Sequence, residues 1–114
     1  MNGSVIVDVR SHDERAREGV IPGSMHVPRS VLEWRADPGS GWSNPLVADQ
    51  GVELILVCQE GYSSSLAAAS LQALGRTRVA DLIGGFDGWR DAGLETITAP
   101  PAPDGLPGMG GPDR

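Results

Sequence analysis

The 114 residues hold one cysteine, two histidines, three tryptophans, one tyrosine and one phenylalanine. A single thiol excludes an internal disulfide and a multi-thiolate zinc site. His12 and His26 stand far apart with no metal-ligand spacing, so no metal site is expected. Trp34, Trp42 and Trp89 form no stacking pattern of the kind that binds single-stranded nucleic acid. Positive charge is also scarce: nine basic residues face fifteen acidic ones, giving a net charge of −6 and a pI near 4.7. Such a surface repels phosphate backbones and anionic membranes, so neither is expected as a partner. No apolar run approaches the roughly 20 residues that span a bilayer. The start, MNGSVIVDVR, lacks the charged opening and long apolar core of a signal peptide. The expectation is a cytoplasmic protein with a reduced thiol.

What the chain does have is an alternation of short apolar runs and helical segments. Val5-Ile6-Val7-Asp8-Val9 reads as a buried strand. Ser11 followed by Glu14 has capping-box spacing and predicts a short helix to about Glu18, with Gly19 at its end. Met25-His26-Val27 reads as a short strand stopped by Pro28, and Ser30 to Arg35 as one or two helical turns. Residues 36–51 form a polar connection with room for one turn of helix. Glu53 to Val57 is the clearest strand and Ser63 to Leu74 the clearest helix, with Leu66, Ala67, Ser70, Leu71 and Leu74 at helical spacing. Val79 to Ile83 reads as a strand, and Phe86 to Ala92 as a closing helix. This order predicts an α/β fold, a mostly parallel sheet with helices on both faces. Residues 1–98 are expected to form the domain. Residues 99–114, with five prolines and four glycines, are expected to form a flexible tail.

In parallel sheets ligands bind beyond the carboxyl ends of the strands, and Asp8 and Cys58 both fall there. The chain leaves a strand at Cys58 and enters a helix within a few residues. Amides of Gln59, Glu60, Gly61, Tyr62 and Ser63 can converge there with the helix N-terminus and stabilise an anionic sulfur. A small apolar cysteine ending a strand, followed by serines that merely cap a helix, fits the same residues. A reversibly oxidised thiol is a third reading.

Four segments, in order, resemble the rhodanese-like domains: Val7-Asp8-Val9-Arg10; Gly19-Val20-Ile21-Pro22-Gly23-Ser24 with His26-Val27-Pro28; Leu56-Val57-Cys58-Gln59-Glu60-Gly61-Tyr62-Ser63-Ser64; and Ile83-Gly84-Gly85-Phe86-Asp87-Gly88-Trp89-Arg90-Asp91-Ala92-Gly93-Leu94. The resemblance implies a sulfurtransferase that requires no metal or organic cofactor. Cys58 would take the outer sulfur of a donor such as thiosulfate as a persulfide, held by the amides of Gln59 to Ser63. A thiophilic acceptor, a protein thiol among them, would then remove it. Asp8 and Arg10 are expected to support the site: Asp8 as scaffold, bonding local backbone rather than orienting the loop, and Arg10 through an ion pair with Asp8, Asp13 or Glu14 rather than by binding an anionic donor.

The sequence departs from the family pattern at three places. The loop carries Glu60 and no basic side chain, with Ser63 where active members commonly have arginine, which predicts weaker thiosulfate binding. This acidic loop favours the alternative of a rhodanese-like binding or regulatory module with little turnover. Ser64 occupies the position where phosphatases of this type of fold place their clamping arginine, which argues against phosphatase chemistry. Val20 stands in place of a scaffold histidine. Only four residues precede Val5, where family members usually place a strand and a helix. Either the chain starts inside the pattern or the sheet lacks its N-terminal edge strand. An open edge would be met by homodimerisation or by coverage from Glu95–Thr98.

Overall fold

A computed structural model describes residues 3–101 and 105–113. The elements follow in the order β1 (Ser4–Asp8), α1 (His12–Glu18), β2 (Met25–His26), a 3-10 turn (Arg29–Val31), α2 (Leu32–Ala36), α3 (Pro45–Ala48), β3 (Glu53–Val57), α4 (Tyr62–Ala73), β4 (Val79–Asp81) and α5 (Gly85–Asp91). The four strands form one parallel sheet in the order β2-β1-β3-β4. Val7 lies opposite both Met25 and Leu56, and Leu54 opposite Val79. The predicted α/β architecture is the observed one.

Strand alternation divides the core between the two faces of the sheet. Val7, Leu54 and Leu56 pack on one face with Leu32, Val47 and Leu71. Ile6 and Val57 point to the other and meet Ile21, Phe86 and Trp89. Helices therefore cover both faces: α2, α3 and α4 on the first, α5 on the second, with α1 joined to α5 by the Arg90–Glu18 pair at 2.8 Å. The Ser11/Glu14 capping box forms as its spacing predicts.

The buried face of α4 differs from the one read off its leucines. Ser64, Ala67, Ala68 and Leu71 face the sheet, whereas Leu66 and Leu74 are 55% and 69% exposed. Small side chains let the helix approach the sheet closely, and leucine spacing alone does not report this. Arg76, just past α4, is also buried. It donates to the carbonyls of Val47, Asp49 and Val52 at 2.7–2.9 Å and so ties down the long α2–β3 connection.

Residues 95–98 do not run along the outer edge of β4. Ile97 pairs antiparallel with Val20, in the α1–β2 connection, through bonds of 2.8 and 2.9 Å. Among the described residues no strand lies beyond β4. Residues 105–113, read from composition as part of a flexible tail, lie against the body. The Asp113 main chain pairs with Gly23 and Ser24 at 2.7 and 2.6 Å, Asn44 donates to the carbonyls of Gly108 and Gly110, and Arg35 donates to Pro107. Polar main-chain contacts anchor this segment rather than apolar burial, so composition gives no sign of it. Among the described residues no helix is long and apolar enough to cross a membrane.

Candidate active site

Cys58 is the first residue beyond β3, at the carboxyl end of the sheet, and its thiol is free and 7% exposed. The chain turns through Gln59, Glu60 and Gly61 and enters α4 at Tyr62. The Gly61 N–H donates to Cys58 Sγ at 2.9 Å. The amides of Gln59, Glu60, Tyr62 and Ser63 have no acceptor among the described residues. The turn thus gives the sulfur one backbone donor, from Gly61, and leads directly into a 12-residue helix.

Two glycine contacts hold this turn in shape. Gly61 has φ +99°, and a Cβ there would approach Gly84 N at 2.9 Å. Gly85 has φ +61°, and a Cβ there would lie 2.5 Å from Cys58 O and 2.7 Å from Gly61 N. The first turn of α5 is therefore docked on the loop. Phe86 N–H donates to Cys58 O at 2.8 Å and Asp87 N–H to Gln59 O at 3.0 Å. The Gln59 side-chain amide donates to Asp87 Oδ1 at 2.6 Å. Sequence reasoning, which placed Gly84 and Gly85 only between a strand and the closing helix, missed this role. The sequence signal was the glycine pair itself, where only hydrogen side chains permit such close approach.

Cys58, Gln59, Glu60, Tyr62 and Ser63 share one cleft of about 460 Å³ with Val9, Arg10, Glu14 and Arg29. Asp8 lies behind it. Its carboxylate accepts from Arg10 Nε and Nη2 at 3.0 and 2.9 Å and from the Arg10 amide at 3.0 Å. Arg10 passes this order forward, donating to Gln59 Oε1 at 2.9 Å and Gly19 O at 2.8 Å while stacking 4.2 Å from the Phe86 ring centre. Arg29 is held by both oxygens of Glu33 at 2.8 Å. The two arginines on the cleft are thus already engaged, whereas Glu60 is exposed. Arg35 is buried against Trp42 O and Pro107 O and does not line the cleft. Trp34 and Trp42 are exposed and do not line it either. Tyr62 lines the cleft but is 73% exposed.

His26 is half-buried, its Nε2 2.8 Å from Arg10 O. Burial holds its imidazole below the ordinary value of 6.5, against the opposing pull of that hydrogen bond; the Arg15 charge lowers it further, and Asp8 and Asp113 pull it up.

A cysteine that accepts from a loop amide at the end of a parallel strand, its loop packed on a glycine pair, defines a class. The sequence model of the rhodanese-like domain family matches residues 1–92, and the chain belongs to that family. Thiosulfate sulfurtransferase GlpE of Pseudomonas paraeruginosa is 37% identical over 90 residues, covering 78% of this chain and 72% of that one. GlpE of Pseudomonas syringae pv. syringae is 40% identical over 88 residues, covering 77% and 74%. Among solved structures, the human single-domain sulfurtransferase TSTD1 superposes with a TM-score of 0.65 at 28% identity, covering 77% of this chain and 81% of that one. A Rhodopseudomonas palustris protein of unknown function, described as a possible tyrosine phosphatase, superposes with a TM-score of 0.77 at 40% identity, covering 82% and 70%.

Proposed function

We propose that this chain is a rhodanese-type sulfurtransferase that carries sulfane sulfur on Cys58. The Cys58 thiolate attacks the outer sulfur of thiosulfate or a similar donor. The new S–S bond forms as the donor's S–S bond breaks, and sulfite leaves with the electron pair. The terminal persulfide sulfur keeps the negative charge. A thiolate or cyanide then attacks that sulfur, forms its own bond to it and returns Cys58 as thiolate. Each step is a two-electron displacement that needs no external oxidant.

The observation that carries this reading is the Gly61 N–H bonded to Sγ within a loop whose neighbouring amides have no acceptor among the described residues. These donors stabilise charge on Cys58 before transfer and on the outer sulfur after it. The same geometry weighs against phosphatase chemistry, because Ser64 is buried and turned back toward Gly61 O at 3.4 Å, so it offers no cationic clamp.

A second reading, a rhodanese-like binding module with little turnover, draws on one observation. Both cleft arginines are paired, and Glu60 sits in the loop. Thiocyanate production from thiosulfate and cyanide separates the two. Turnover by the wild type that Cys58→Ser abolishes is expected. Equal background rates for both proteins would favour the module.

A further inference from the structure

We propose that Asp113 is a positioning residue for the Cys58 loop, acting through a buried relay of Arg15, Asp8, Arg10 and Gln59. The inference rests on reading Cys58 as the sulfur-accepting nucleophile. Asp113 lies beside β2 through main-chain bonds to Gly23 and Ser24. Its Oδ2 accepts from Arg15 Nη2 and lies 3.2 Å from Ser24 Oγ, whose single proton it shares with Ile21 O at 2.7 Å. Arg15 Nε donates to Asp8 Oδ2 at 3.1 Å, the same oxygen that accepts from Arg10 Nη2 at 2.9 Å. Arg10 Nη1 donates to Gln59 Oε1, and Gln59 is the neighbour of Cys58.

The electrostatics give this relay its direction. Asp8, Arg10, Arg15 and Asp113 are 2%, 2%, 3% and 6% exposed. Two guanidiniums and two carboxylates cancel only while Asp113 is docked. Without its charge, two buried cations share one carboxylate, and both already touch the same Asp8 oxygen. An unpaired buried charge is strongly unfavourable, so Arg15 draws on Asp8 at Arg10's expense. The two-pronged Asp8–Arg10 grip loosens, and with it the hold on Gln59. A residue 55 positions beyond Cys58 in the chain thereby sets the order of the sulfur-binding turn.

The test uses the full chain and two readouts. One is the saturating rate of sulfur uptake from thiosulfate, followed by intact mass. The other is the position of the Gln59 and Gly61 amide signals in an NMR spectrum. Asp113→Asn is expected to lower the saturating rate by about 2- to 30-fold, the range for coupling through packed networks, with a smaller change in KM. It should also move both amides, and Asp113→Glu should restore rate and signals. Ser24→Ala keeps the charge but removes the hydroxyl contact, so it should give a smaller change in the same direction; it serves as the readout if Asp113→Asn does not fold. Unmoved amides in the folded variant would overturn the relay, as would a reduced rate with unmoved amides. If the wild type takes up no sulfur, the sulfurtransferase reading fails, and the relay is then judged on the amide signals alone.

Discussion

At the residue scale, the sulfur and its surrounding charges decide the chemistry. Cys58 is held by a backbone donor, but the loop adds a carboxylate where a cation would serve a dianionic donor better. Ser63 is exposed on the cleft, so Ser63→Arg can place a guanidinium there without disturbing the core. The expected gain is about 1 kcal/mol, roughly a fivefold lower KM for thiosulfate, shrinking as salt is added. An unchanged KM at low ionic strength would show that charge at this rim does not govern donor binding. Much of this site is legible in the sequence, because Cys58, its loop and the helix start are contiguous and their order follows from strand-turn-helix rules. What is not legible is long-range. Arg10 reaches Gln59 across 49 positions, and its choice of Asp8 over Asp13 or Glu14 depends on buried geometry that no local spacing reports.

At the element scale, the loop keeps its shape because α5 is seated on it. Gly85 is the contact point: its left-handed φ and its closeness to Cys58 O leave no room for a methyl group. Gly85→Ala is expected to lower stability by about 1–3 kcal/mol and to reduce sulfur transfer by more than the change in folded fraction explains. Urea unfolding alongside thiocyanate assays checks both; wild-type values for each would mean the helix is not a clamp. The strands were readable to within about two residues at their ends, since β-branched runs bounded by turn residues are strong local signals. The buried face of α4 was not. Its leucines suggested one face, and its alanines, which let the helix close on the sheet, chose another.

At the scale of the whole molecule, folding links the titration of His26 to stability. Its imidazole is held below 6.5 in the folded protein, so the unfolded chain binds the proton more readily. Its contribution is fully present above about pH 6.5 and is lost as pH falls through the folded value. The wild-type urea midpoint should therefore drop more between pH 7.5 and 5 than that of His26→Gln. Parallel curves for the two proteins would rule out this linkage. The parallel α/β architecture followed from the alternation of elements, whereas the docking of residues 105–113 did not, because main-chain hydrogen bonds and a single buried carboxylate carry it. The residue-scale and element-scale effects bear on sulfur transfer through Cys58. The most direct measurement is the intact mass of the protein after incubation with thiosulfate and removal of the donor. Addition of one sulfur atom to the wild type and none to Cys58→Ser is the predicted result. A wild type without the adduct, or an equal adduct on Cys58→Ser, would contradict sulfur transfer through Cys58.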